Sequence, residues 1–83
     1  MTMTGFDALG GGRYRVSGIL GFDTVPGIWK QSLNELNNSD EAVIDLGRVT
    51  HVDSAGLALV IDWIQWARNH GRRLRLIEMP EKL

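Results

Sequence analysis

The sequence contains no cysteine, which excludes disulfide bridges, thiolate zinc sites and cysteine-based redox chemistry. This composition suits a reducing compartment, and we expect the protein to be cytoplasmic. No stretch reaches the roughly 18 consecutive apolar residues of a membrane-spanning helix. Residues 1–5 also lack the basic region and apolar segment of a secretion signal. We therefore expect neither export nor insertion into a membrane.

Neither sign of charge predominates, because nine basic and ten acidic residues give a formal net charge of -1. Such a balance predicts no strong field that would attract nucleic acid or an anionic bilayer. The one basic cluster, Arg72, Arg73 and Arg75, flanks an apolar strand, and we interpret it as a solvated sheet edge. We expect no nucleic-acid partner.

At 83 residues, 43% hydrophobic and 23% charged, the chain has the composition of one small globular domain. We therefore assign residues 1–83 to a single domain. A chain of this size buries only roughly 60% of the surface that its unfolded form exposes. A standing complex with a protein partner would add to its stability.

The first half of the chain predicts a hairpin, a helix and a strand. Segments 6–9 and 13–20 flank three glycines that suit a tight turn, although a flexible tail would have the same composition. Asp23 or Thr24 can cap a helix with Pro26 in its first turn. Its apolar stripe is Val25, Ile28, Trp29, Leu33 and Leu36, which places Trp29 in the core by default. The apolar run 42–46 then predicts a strand buried on both faces, ended by Gly47 and Arg48.

The second half predicts a helix from about Ser54 to His70, terminated by Gly71, and a strand over 74–79. The complete order predicts an α/β fold in which a mixed sheet of about four strands packs against helices. Helical spacing assigns one face of the second helix to the core: Leu57, Val60, Ile61, Ile64 and Ala67. Leu59, Trp63 and Trp66 then fall at or beyond the edge of that face. There the two tryptophans either anchor a partner, cover the edges of the sheet or, in a longer chain, pack beneath a further helix.

The segment from His51 to Val60 carries the polar residues of greatest interest, at the junction of a strand and a helix. Asp53 or Ser54 can accept hydrogen bonds from the first N–H groups of the helix, whose dipole favours negative charge there. Gly56 allows another backbone to approach closely. By spacing alone these features favour a plain helix cap, and an exposed binding site is the alternative.

Catalysis has little support in the sequence, and we expect no enzymatic activity, metal site or cofactor. His51, Asp53 and Ser54 are the residue types of a catalytic triad, but such close neighbours cannot place nucleophile, base and orienter in line. No second histidine or cysteine lies nearby to complete a metal site. A phosphate-binding GxxxxGK[ST] loop is also absent.

The stretch VIDLGRVTHVDSAGLALV, preceded by SGIL and a helix, resembles the STAS domains of anti-sigma factor antagonists, sulfate transporters and phospholipid-transport regulators. The closer likeness, carried by DSAGLALV, is to MlaB-like subunits. Those subunits are cytoplasmic STAS proteins that bind the ATPase of the Mla phospholipid transporter at the inner membrane. STAS domains usually continue beyond the position of Leu83, so the resemblance implies a shortened domain without the family's last helix.

This resemblance implies an adaptor that supports the ATPase of an ABC transporter maintaining outer-membrane lipid asymmetry. The resemblance implies Ser54 and Trp29 as partner-binding residues. We expect the partner to contact the loop from Val49 to Ser54 and the helix that follows, which adds Asp53, His51, Ala55 and Ala58. In the anti-sigma antagonist branch the serine at the position of Ser54 is phosphorylated by a partner kinase, which gives the alternative function. Either way the protein would be cytoplasmic, and in the first case peripheral to the inner membrane. Pairing with a second copy is left open.

Overall fold

The computed structural model describes residues 4–81. Its elements, in chain order, are β1 (Gly5–Gly10), β2 (Arg13–Leu20), α1 (Val25–Leu36), β3 (Glu41–Val52), α2 (Ser54–Asn69) and β4 (Arg73–Ile77). This order confirms the predicted α/β fold, a four-stranded mixed sheet with helices packed against it. None of the helices in the described part is long and apolar enough to cross a membrane.

The four strands lie in the order β1-β2-β3-β4. The hairpin partner β1 is antiparallel to β2, whereas β2, β3 and β4 are parallel to one another. Helices α1 and α2 are therefore crossover connections between neighbouring parallel strands. Since both crossovers step in the same direction across the sheet, they place both helices on the same face. The amino-terminal ends of both helices consequently follow the carboxyl ends of β2 and β3.

The hydrophobic core lies between the sheet and the two helices, and Trp63 of α2 is at its centre with no solvent exposure. Its indole N–H donates to Ser32 Oγ at 2.9 Å, and that hydroxyl donates to the carbonyl of Trp29 at 2.7 Å. A buried polar chain thus fixes α2 against α1, with every donor satisfied. The expectation that Trp63 lies at the edge of the core is wrong.

The buried face of α2 is rotated from the predicted one. Its buried residues are Gly56, Leu59, Val60, Trp63 and Ala67. Leu57, Ile61 and Ile64, which helical spacing assigned to the core, are 45%, 46% and 43% exposed. The physical reason lies at Gly56, where a side chain would meet Leu20 and Val52 at under 3.0 Å. The helix lies so close to the sheet there that only a glycine fits, and this fixes which face points inward.

Strand β3 continues to Val52 and does not end at Gly47 and Arg48 as the sequence predicts. Its register with β2 passes from Arg15↔Asp45 to Ser17↔Arg48, so one extra residue of β3 is accommodated as a bulge. Before the bulge, β3 is buried on its helix-facing side at Ala42, Ile44 and Leu46 and half-buried on the other. The prediction of burial on both faces is therefore wrong, because the helices cover one face of the sheet.

Two smaller predictions concern the ends of the sheet. The glycine turn forms the predicted hairpin, with positive φ angles of 92°, 62° and 78° at residues 10–12. Within the basic cluster Arg72 has a structural role, since its guanidinium donates to the carbonyls of Ser39 and Asn37 at 2.7 and 3.3 Å. Strand β4 ends at Ile77 rather than Met79, because Glu78 adopts a positive φ of 55° that interrupts the extended backbone.

Candidate binding site at the start of helix α2

Asp53 is the residue that turns the chain from β3 into α2. Its backbone is extended, and its Oδ1 accepts hydrogen bonds from the N–H groups of Ala55 and Gly56 at 2.8 and 3.4 Å. Two of the helix's unpaired donors are thereby satisfied, as in a standard amino-terminal cap. Of the two residues that the sequence offers for this role, Asp53 caps the helix and Ser54 is its first residue.

The loop between β2 and α1 lies directly beside this cap. The backbone N–H of Phe22 donates to Asp53 Oδ2 at 3.3 Å, and the N–H of Asp53 donates to the carbonyl of Leu20 at 3.1 Å. Within the loop, the Thr24 hydroxyl donates to the carbonyl of Ile19 at 2.7 Å and accepts from the N–H of Gly21 at 3.0 Å. We call residues 21–24 together with residues 51–55 the α2 tip.

The α2 tip faces solvent. His51, Asp53 and Ser54 are exposed, Ala58 one turn further is exposed, and Ala55 is half-buried. No side-chain hydrogen bond among residues 4–81 involves the Ser54 hydroxyl. A negative group attached there would lie at the positive end of the α2 dipole, which favours it.

Phe22 is the residue that sequence reasoning missed. This residue is 72% exposed, and it lines an open depression of about 400 Å³ together with Ile19, Asp23 and Asp53. Exposed aromatic side chains on a fixed backbone are frequent anchors at protein interfaces. The only available signal was an aromatic residue directly after a glycine, since a single loop residue belongs to no periodic pattern.

Trp29 does not lie at the α2 tip. It is half-buried, packs against the core and lines a separate open groove between α1 and α2 with Trp66, Asp62 and His70. Trp66 is also half-buried and stacks on His70, with ring centroids 4.8 Å apart. The structure thus brings five of the six sequence-predicted residues to the start of α2 and places Trp29 in a groove further along the helix.

The α2 tip combines a carboxylate that is engaged within the chain with exposed hydroxyl and apolar groups. In the described part of the chain, no group of three or more histidine, aspartate or glutamate side chains is arranged to hold a metal ion. The Asp53 carboxylate is occupied by three backbone N–H groups. This arrangement can present a hydroxyl, an aromatic ring and small apolar groups to another molecule.

A family model described as Mlab, STAS domain matches residues 8–83. The chain belongs to the STAS domain family. The match covers all six secondary-structure elements apart from the first residues of β1. No curated protein matches the chain.

Solved structures show the same STAS fold at low sequence identity. The anti-sigma factor antagonist SpoIIAA in its unphosphorylated form superposes with a TM-score of 0.73 at 14% identity, covering 96% of this chain and 76% of that one. Two structures of Mglu, one of them in its native form, give TM-scores of 0.71 and 0.64 at 20% and 18% identity. They cover 94% and 92% of this STAS domain, which spans only about a fifth of the Mglu chain.

STAS domains are regulatory or binding modules that act through contacts with other proteins. The family therefore agrees with the chemistry of the α2 tip.

Proposed function

We propose that this STAS domain is a non-enzymatic adaptor that binds the ATPase subunit of a phospholipid-transporting ABC complex through its α2 tip. The complex would be of the Mla type, which maintains the lipid asymmetry of the outer membrane. The protein would act in the cytoplasm and lie at the inner membrane through its partner. The description of the matching family model, Mlab, supports this branch of the family.

One observation carries the proposal: Ser54 and Phe22 are both exposed on segments that the Asp53 carboxylate joins. A hydroxyl at the start of a capped helix offers a hydrogen bond with a fixed direction. Beside it, a mostly exposed aromatic ring offers apolar area that a partner can bury. Such a pairing of a directional polar group with an aromatic anchor is typical of the centre of a protein interface.

The test is co-purification with the ABC ATPase encoded in the same genome. Substituting Ser54→Arg or Ser54→Glu puts a long charged side chain where a hydroxyl would be buried, and we expect recovery of the ATPase to fall at least about tenfold. Asn69→Arg is the matched control, because Asn69 is exposed at the opposite end of the same helix. Equal recovery with all four proteins, wild type included, would overturn the proposal.

A second function is favoured by the same exposed hydroxyl. The structural similarity to SpoIIAA supports an anti-sigma factor antagonist that is switched by phosphorylation of Ser54. A phosphate there is compatible with the fold, since the helix dipole favours it. At an interface the same phosphate would weaken binding, because it would repel acidic groups of the partner or lose its hydration at a cost in free energy. Incubation with the cognate kinase and ATP, followed by intact-mass measurement, tests this function. Failure of wild type to gain one phosphate, or an equal gain by Ser54→Ala, would reject it.

A further inference from the structure

Helix α2 carries an apolar stripe on its solvent side. Leu57, Ile61 and Ile64 are spaced four and three residues apart, so they lie above one another on one face of the helix. Each is nearly half exposed, at 45%, 46% and 43%. We call these three residues the α2 stripe. These residues form a contiguous apolar patch. Such patches mark interaction sites, whereas apolar residues that are exposed singly are common on any protein surface.

The α2 stripe is separate from the groove that contains Trp29. Asp62 and Trp66 face α1 across that groove, and a helical rotation of about 100° per residue puts the stripe on the opposite flank of α2. On this flank α2 lies over β3 and β4. Leu74 and Leu76 of β4 are half-buried against the core there, so the apolar surface continues onto the edge strand.

We propose that the α2 stripe is an interface with a second copy of this chain, in which the two α2 helices pair antiparallel about a two-fold axis. In an isologous interface every contact occurs twice, because residue i of one copy contacts residue j of the other and residue j of the first contacts residue i of the second. When Leu57 of one copy faces Ile64 of the other, the axis passes between Val60 and Ile61, and the two Ile61 side chains meet near it. The hydrophobic contacts of the stripe are then complete with no other protein.

The charges at the two ends of the stripe favour this register. Asp53 lies four residues before Leu57, and Arg68 lies four residues after Ile64. The register that places Leu57 against Ile64 therefore places Asp53 of each copy against Arg68 of the other. Both side chains are exposed, and they carry opposite charges. A parallel pairing would instead set Arg68 against Arg68 and Asp53 against Asp53, which costs free energy.

The patch is smaller than the interface of a permanent dimer. A stable interface buries about 800 Å² on each partner. Three half-exposed aliphatic side chains, with the partly covered leucines of β4, supply less than that. We therefore expect a reversible dimer with a dissociation constant on the order of 100 μM.

Sedimentation equilibrium of the chain alone tests the proposal, at protein concentrations from about 10 μM to about 1 mM, a range that brackets the expected dissociation constant. The wild-type mass should rise from the monomer value of 9.2 kDa towards twice that value. Ile61→Lys puts two like charges at the two-fold axis and should weaken the dimer at least about tenfold. Arg68→Glu should weaken it as well, because it opposes two carboxylates at each end of the interface.

Leu9→Lys is the matched control, since Leu9 is 47% exposed on β1, the edge strand opposite β4. It should dimerise as the wild type does. The far-ultraviolet circular dichroism spectrum verifies that each variant is folded. A wild-type chain that stays monomeric at about 1 mM, well above the expected dissociation constant, would overturn the proposal and leave the stripe to a different occupant. An unchanged dimer in both Ile61→Lys and Arg68→Glu would also overturn it. Since no ATPase is present, these outcomes are independent of the proposed function.

Discussion

The carboxylate of Asp53 accepts a hydrogen bond from the backbone N–H of Phe22, 31 residues earlier in the chain, at 3.3 Å. Its other oxygen caps α2 through the N–H groups of Ala55 and Gly56. One side chain therefore fixes two segments that are distant in sequence, the loop after β2 and the start of α2. The exposed groups of the α2 tip are held in place before any partner arrives, which lowers the entropic cost of binding.

Replacing Asp53 by alanine should destabilise the domain by about 1–2 kcal/mol, since it removes the helix cap. Urea denaturation followed by circular dichroism measures the change. Asp23→Ala is the control, because Asp23 is an exposed carboxylate in the same tip, and its substitution should change stability by less than about 0.5 kcal/mol. Equal effects of the two substitutions would show that the cap does not contribute.

Gly56→Ala should destabilise the domain by about 1–3 kcal/mol through overpacking. The added methyl group would lie 2.7 Å from a Val52 methyl carbon and 2.9 Å from the Leu20 carbonyl oxygen, which is backbone and cannot easily move. In α1, Gly27→Ala is the matched helical control, because nothing lies within 4 Å of its added carbon. It should leave stability unchanged or raise it by up to about 1 kcal/mol. Thermal unfolding of the two variants gives the comparison, and a stable Gly56→Ala would contradict the close packing of α2 on the sheet.

Ser32→Ala should destabilise the domain by about 1–3 kcal/mol, because it leaves the buried indole N–H of Trp63 without an acceptor. A double-mutant cycle with Trp63→Phe isolates the pair. Once the indole N–H is gone, the loss of the serine hydroxyl should cost less than it does alone. Additive losses in urea denaturation would contradict the interaction. Ser17→Ala is the control, because Ser17 lies in β2 and is only half-buried, and this substitution should change stability little.

Phe22→Ala should leave the stability of the domain unchanged within about 0.5 kcal/mol, since the ring is mostly in solvent. The same substitution should weaken binding of the ABC ATPase by at least about tenfold, or 1.4 kcal/mol, if the ring is an anchor of the proposed interface. Isothermal titration calorimetry measures the affinity. Leu9→Ala removes an apolar side chain that is 47% exposed and lies away from the α2 tip, and it should bind as the wild type does.

The order of the elements could be predicted from the sequence because their ends carry local signals. Pro26 lies in the first turn of α1, Gly71 follows α2 with a φ of 64°, and the glycine turn joins β1 to β2. These signals depend on residues close together in the chain, so they can be recognised in the sequence without knowledge of the tertiary structure. The exposure of Ser54 and Asp53 followed in the same way from their place at the start of a helix.

The buried face of α2 could not be predicted, because apolar residues occur on more than one face of that helix. The faces containing Ile61 and Trp63 both satisfy helical spacing. The choice between them depends on how close α2 lies to β2 and β3, which is a long-range property. The place of Phe22 beside Asp53 has the same origin, since it results from pairing β2 with β3. The register bulge that lets β3 continue past Gly47 also arises between strands.

The glycine turn between β1 and β2 has a practical consequence. It lies at the end of the sheet opposite the α2 tip, because β2 begins there and reaches the tip with its carboxyl end. Gly10 and Gly11 have open space around them, whereas Gly12 is pressed against the carbonyl oxygen of Glu41, 2.6 Å from the position of an added carbon. A fluorophore or affinity tag inserted between Gly10 and Gly11 would therefore label the protein without blocking the binding of a partner at the tip.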